Sequence, residues 1–239
     1  MITTEQIKES LSAFNGRADF VASDFIVARA FSEPVDLVSH FARVVILDGL
    51  FNTSLRQSRP TRGRQRLAMV TMSENIRLRL PDIVCLVEGL PARSLFGLSF
   101  MELQTRQAFS TCVRTVVECL NNNSMSFAGK YLHFTFPDLF PPWDRLVPQC
   151  INRLCSREVF TSADLQSNEP ESYVRLCEQY QVIHNGLTAD ERVDILQHDF
   201  WSQPEAWRRT NSLVRIFDKA LWMKEKLLAG NNGEQPTHP

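Results

Sequence analysis

Along this chain, apolar residues recur at intervals of three and four far more often than in alternation, which is how helices with one buried face are written. The clearest run is Phe109, Cys112, Val113, Val116, Val117 and Leu120. Its spacing predicts a helix opened by a capping box of Ser99 with Glu102 and stopped at Asn121-Asn122-Asn123. Upstream, Pro34 after Ser32-Glu33 opens a segment whose apolar face is Val38, Phe41, Val45 and Leu50. A second capping box, Thr188 with Glu191, precedes Val193, Leu196 and Phe200. Pro204 then stands near the start of a closing helix carrying Trp207, Val214, Phe217 and Leu221. No period-2 strand pattern, Asn-Gly or Asp-Gly hairpin, or internal repeat interrupts this. The pattern predicts an all-α protein, a compact multi-helix bundle of roughly eight to eleven helices. Residues 1–229 read as one domain, with two helical subdomains around a cleft as a variant, and 230–239 as a loose tail with nothing to bury.

Composition narrows the class. The 239 residues are 44% hydrophobic and 22% charged, enough apolar surface for a sizeable core and too little charge for wholesale disorder. No apolar run approaches the roughly 20 residues of a membrane-spanning helix. The start, MITTEQIKES, is neither a secretory signal nor an Arg-rich transit peptide. The six cysteines form no C-x-x-C pair and read as reduced packing residues of a cytoplasmic protein. No His/Cys/Asp grouping has metal-ligand spacing, so neither a metal nor another cofactor is expected.

A net charge of −1 excludes a globally basic nucleic-acid coat but not a local patch. From Gly49 to Ser73 there is no Asp or Glu, while Arg56, Arg59, Arg62, Arg64 and Arg66 are concentrated in one stretch that Pro60 and Gly63 mark in part as a loop. Guanidinium forks match phosphate oxygens and stay charged, so this stretch suits a nucleic-acid backbone; the alternative is an ordinary solvated loop. Just before it, Asn52 and Thr53 follow an apolar helix, either as a C-cap and turn or as groups that contact a base or fill a gap in a duplex.

The segment from Ser124 to Asp144 draws most attention. Asn123 or Ser124 caps a helix in which Ala128 and Gly129 let a neighbouring backbone come close, and the helix must end before Pro137. A stiff Pro141-Pro142-Trp143 turn then presents Asp144 at or near the start of the next helix. Such a carboxylate either caps that helix or, held rigidly and partly buried, faces developing positive charge or an attacking water.

Two stretches, Phe127-Ala-Gly-Lys-Tyr-Leu-His-Phe-Thr-Phe136 and Phe140-Pro-Pro-Trp-Asp144-Arg-Leu-Val147, together resemble the helix, turn and Asp of the helix-hairpin-helix (HhH-GPD) DNA glycosylases. Val44-Val-Ile-Leu-Asp-Gly-Leu-Phe-Asn52 is similar to that family's upstream helix, which ends in a polar residue at the flipped-base site. The resemblance covers residues 34–150 and implies the HhH-GPD fold with a degenerate hairpin. The family's Leu-Pro-Gly-Val-Gly hairpin falls on Leu120-Asn-Asn-Asn-Ser-Met125, which has no glycine. That leaves the arginine stretch to hold phosphates. Cys177 is the last cysteine, so the four-cysteine iron–sulphur cluster of some members is not expected.

The resemblance implies a monomer that acts on double-stranded DNA containing a modified base and hydrolyses its N-glycosidic bond. Asp144 would be the catalytic carboxylate. The lyase lysine of strand-cleaving members aligns with Ser126, implying a monofunctional enzyme that uses water. Lys130, one helical turn on, would share the pocket; the alternative is a surface lysine whose stem lies along apolar neighbours. Asn52 or Thr53 would contact the base or the vacated space, Arg56, Arg59, Arg62 and Arg64 the phosphates. Phe127, Tyr131 and Trp143 would stack on the base or else belong to the core, and His133 reads as structural. Excision of hypermodified, glucosylated cytosine from phage DNA as antiviral defence is the substrate reading put first, with oxidised or alkylated bases next. The competing functions are a non-catalytic helical DNA- or RNA-binding module and a helical protein-interaction scaffold.

Overall fold

A computed structural model of the chain describes residues 2–32, 37–51, 62–120, 124–155, 157–166 and 169–231. Asn52, Thr53, Arg56, Arg59, Pro34 and the 121–123 turn lie outside these residues. Among the described residues there are eleven α-helices and no strand. In chain order they are α1 Thr4–Asn15, α2 Ala18–Ser32, α3 Leu37–Phe51, α4 Arg62–Glu88, α5 Leu103–Glu118, α6 Met125–Thr135, α7 Leu146–Cys155, α8 Ser162–Gln166, α9 Pro170–Asn185, α10 Ala189–Ser202 and α11 Leu213–Asn231. Short 3-10 turns at Leu95–Gly97 and Glu205–Trp207 complete the set. No described helix is long and apolar enough to cross a membrane.

The all-helical class follows from the sequence pattern; several details differ. The Thr188–Glu191 capping box is formed, and Ser124 Oγ accepts the Phe127 N–H to start α6. The Ser99–Glu102 box is not: α5 begins at Leu103 with Glu102 itself as N-cap and no side-chain cap bond. On α3 the apolar face is rotated from the expected one. Val38 is 76% exposed and Leu50 41%, while Val44 and Leu47 are buried with the polar side chains of His40, Arg43 and Asp48. Polar groups that bond inside the core outweighed bare apolarity there. The closing helix begins at Leu213, because Pro204 starts a 3-10 turn and an extended connector follows it. Gly63 and Arg64, expected in a loop, sit within α4, and Gly230 within α11.

α11 packs on α1 and α7, α1 also on α10, α5 on α4, α6 and α9, and α3 on α2, α4 and α6. α6 is the central element, wholly buried from Phe127 to Phe134. A polar network binds the α1–α2–α10–α11 side. Asp24 of α2 forms an ion pair with Arg215 at 2.6 Å and accepts a hydrogen bond from Arg209 at 2.7 Å, and Asp199 of α10 takes Asn15 at 3.1 Å, Asn211 at 2.7 Å and Lys219 at 3.3 Å. Burial alone would push the Asp24 carboxyl up, but Arg215, Arg209 and Lys219 outweigh it and hold it well below the ordinary carboxylate range.

Gly129 governs how α6 meets the following turn. A β-carbon there would lie 2.7 Å from both the backbone nitrogen and Cβ of Trp143 and 3.1 Å from the Tyr173 ring. One of those atoms is backbone and a second is the Cβ fixed to it, on a turn held by prolines, so they cannot step aside cheaply. Gly129→Ala should therefore cost about 1–3 kcal/mol, the range for overpacked cores, in urea or thermal unfolding. A neutral or stabilising change would show that the two segments are not in this contact.

Candidate active site

The turn from Phe136 to Arg145 is held from several sides, and that is what places Asp144. His133 Nδ1–H donates to the Phe140 carbonyl at 2.8 Å, and the Tyr173 hydroxyl donates to the Pro141 carbonyl. Ser212 Oγ bonds the Pro137 carbonyl at 2.8 Å, and Leu95 N–H bonds that of Asp138 at 2.9 Å. His133 is structural, as the sequence suggests: burial pushes its imidazole down to about 3, so it stays neutral and keeps its donor on the carbonyl.

At the end of this turn the structure brings together the three residues proposed as catalytic. Lys130 Nζ donates to Ser126 Oγ at 2.9 Å, across one turn of α6, and lies 3.3 Å from Asp144 Oδ2. Lys130 is 5% exposed, which removes the surface-lysine alternative. The Asp144 side chain is 28% exposed, so one side of the pair is open to solvent. Its second oxygen, Oδ1, accepts the Leu146 N–H at 3.1 Å, and its carbonyl accepts the Val147 N–H at 3.0 Å. The carboxylate thus caps α7 through one oxygen and holds a lysine through the other. Both roles weighed for it from sequence are compatible in one geometry.

Two further elements reach the cluster. Lys130 Nζ lies 5.7 Å from the ring centre of Phe51, the last residue of α3. From α11 come Trp222 and Lys226, with the Lys226 ammonium 3.9 Å from the Trp222 ring centre and 5.1 Å from that of Phe20. Burial lowers the Lys226 amine, and Asp144 opposes this by favouring its charged form. A partly exposed carboxylate paired with a lysine at a helix N-terminus can bind a polar ligand, stabilise nearby positive charge or orient a water.

The aromatic residues separate from this group. Tyr131 and Phe127 are fully buried and Trp143 is 4% exposed. Tyr131 packs on Phe31 and Phe127, its hydroxyl 2.7 Å from His40 Nε2; Trp143 packs on Tyr173 and Phe160. Their ring faces are occupied by core neighbours, which corrects the expectation that Tyr131 and Trp143 stack on a base. Arg62 and Arg64 lie on the first turn of α4. Two surface hollows, about 220 Å³ between α4 and α5 and about 380 Å³ between α7 and α9, include no residue of the Asp144 cluster. Among the described residues no three His, Cys, Asp or Glu are grouped to hold a metal ion.

Sequence reasoning missed Trp222 and Lys226, having read α11 as a closing helix only. The available signal was spacing alone: Trp222 and Lys226 stand four residues apart and so share one face of α11. Compared with protein-family models, curated proteins and solved structures, the chain matches none of them.

The capping role can be separated from any chemistry. Asn caps a helix as well as Asp, so Asp144→Asn should change stability little, whereas Asp144→Ala should cost about 1 kcal/mol in chemical denaturation. Equal, large losses for both would mean that the ion pair with Lys130, not the cap, carries the stabilisation.

Proposed function

We propose that this chain is a monofunctional DNA glycosylase, hydrolysing the N-glycosidic bond of a modified nucleotide turned out of duplex DNA. The observation that carries this reading is the meeting of Ser126, Lys130 and Asp144 beside Phe51, the last residue of α3. The motif likeness to the helix-hairpin-helix glycosylases supplies the reaction class, and the geometry supplies a carboxylate in a workable setting.

In this mechanism the arginines of residues 56–66 hold phosphates, a sequence-independent grip that positions the duplex. Extruding the nucleotide costs a few kcal/mol, least for a damaged or poorly paired base, and Asn52 or Thr53 meets the base or the gap. As the glycosidic bond lengthens, positive charge grows on the sugar and the Asp144 carboxylate stabilises it. The same carboxylate orients or deprotonates the attacking water. Lys130 is engaged by Asp144 and Ser126, which supports water rather than an amine as nucleophile. The substrate put first is hypermodified cytosine of phage DNA, with antiviral defence as the role. A non-catalytic nucleic-acid-binding module is the second reading, and the cap bond from Leu146 to Asp144 is the observation that favours it.

The test is incubation with glucosylated phage DNA and a panel of damaged duplexes, reading abasic sites with and without alkali. Released base with strand breaks only after alkali is the expected result. Breaks without alkali would make Lys130 a lyase nucleophile. Tight, salt-sensitive binding with no release on any substrate would favour the binding module. In the same material, Arg59→Ala with Arg62→Ala should weaken all duplexes alike and lower the slope of log affinity against log salt by about two.

A further inference from the structure

The end of α10 carries an exposed aromatic ring beside a cation that no carboxylate neutralises. Trp201 is 67% exposed, and its ring meets that of Phe200 edge-on, with centroids 5.1 Å apart. Gln203 folds the chain back on this helix end. Its buried amide donates to Asp199 Oδ2 at 3.1 Å and to the Arg209 carbonyl at 3.0 Å, and its oxygen accepts the Arg209 N–H at 3.2 Å. The fold-back sets the Arg208 guanidinium 5.0 Å from the Trp201 ring centre and 5.6 Å from that of Phe200. Arg208 Nε is buried without a hydrogen-bond partner among the described residues, and Nη2 reaches only the Gln203 carbonyl, at 3.5 Å.

Lys226 is held in the same way. Its ammonium stands 3.9 Å from the Trp222 ring centre and 5.1 Å from that of Phe20, and it makes no ion pair among the described residues. Phe20, Trp222 and Trp207, the residue before Arg208, pack on a small apolar cluster of Phe14, Val21 and Met223 apart from the main core. Both cations therefore border one aromatic surface. Other surface arginines are paired with carboxylates: Arg77 with Glu74, Arg106 with Glu171 and Glu178, Arg175 with Asp164, and Arg17, beside Phe20, with Asp19. A carboxylate cancels the charge it holds, whereas a ring face holds a cation and leaves its charge for a ligand.

We propose that Trp201 and Arg208, with Lys226 on the same surface, bind single-stranded nucleic acid. An unpaired base stacks on the exposed Trp201 ring, and the Arg208 guanidinium takes a backbone phosphate without first breaking an ion pair. A nucleic-acid strand alternates flat rings with anions, and this surface offers a partner for each; an acidic peptide would use the cations and leave the indole in water. Stacking accepts any base, so a strand is recognised and not a sequence. The inference does not rest on the glycosylase reading, because it uses no residue of the Asp144 cluster.

The test is binding of the whole chain to a single-stranded oligothymidylate across a salt series, followed by tryptophan fluorescence, with polyglutamate as the acidic-peptide probe. Wild type should bind the strand with part of its fluorescence quenched. Trp201→Ala should weaken that binding about five- to a hundredfold, and Trp201→Phe should keep most of the affinity while losing the quenching. Arg208→Gln and Lys226→Gln should each lower the slope of log affinity against log salt by about 0.7. Should Arg208→Gln fail to fold, the exposed Trp201 and Lys226→Gln carry the test. Strand affinity unchanged in Trp201→Ala, or polyglutamate bound as tightly as the strand, overturns the proposal and leaves the glycosylase reading standing. Strand binding that Trp201→Ala weakens, with base release from no substrate, supports this inference and sinks the glycosylase reading.

Discussion

The backbone nitrogen and the Cβ of Trp143 each stand 2.7 Å from where residue 129 would carry a β-carbon. Everything proposed for the Asp144 site depends on that approach. Lys130 and Asp144 are the next residues on the two segments in contact, and they pair because their neighbours touch. The prolines at 141 and 142 limit the turn's freedom, and the bonds from His133 and Tyr173 fix its carbonyls. A flexible carboxylate would lose conformational entropy on meeting a substrate; this one has already lost it during folding.

The electrostatics are layered. On one side, Asp24 and Asp199 gather Arg209, Arg215 and Lys219 into a buried network that joins α1, α2, α10 and α11. Such a network adds little net stability over a well-packed apolar core, yet removing one partner leaves an uncompensated buried charge. On the other side stand Lys130, Asp144 and Lys226, closer to solvent. Asp218 belongs to the first side, held by Arg215, which also pairs with Asp24.

Much of the helical frame was legible in the chain. The 109–120 stripe, the caps at Ser124 and Thr188 and the stop before Pro137 are local rules, and local rules survive folding. Gly129 was legible too, as a small residue inviting a close neighbour, and so was the one-turn reach from Ser126 to Lys130. What failed depended on tertiary context. Val38 and Leu50 point outward because His40 and Arg43 find partners inside, His40 with Ser73 and Tyr131, Arg43 with the carbonyls of Ala30 and Phe31. Lys226 went unread because distance in sequence hides which side chains α11 carries toward the Asp144 turn. Tyr131 and Trp143 were misplaced for the opposite reason: aromatic residues near a charged cluster look like ligands until their faces prove to be filled.

The measurement that bears most directly on the central claim compares wild type with Asp144→Asn on one duplex, reading binding and single-turnover base release together at fixed salt. The account predicts that the variant folds, binds within a few-fold of wild type, and loses at least about a hundredfold in release. Release by Asp144→Asn at the wild-type rate would contradict it, leaving Asp144 as the cap of α7 and nothing more.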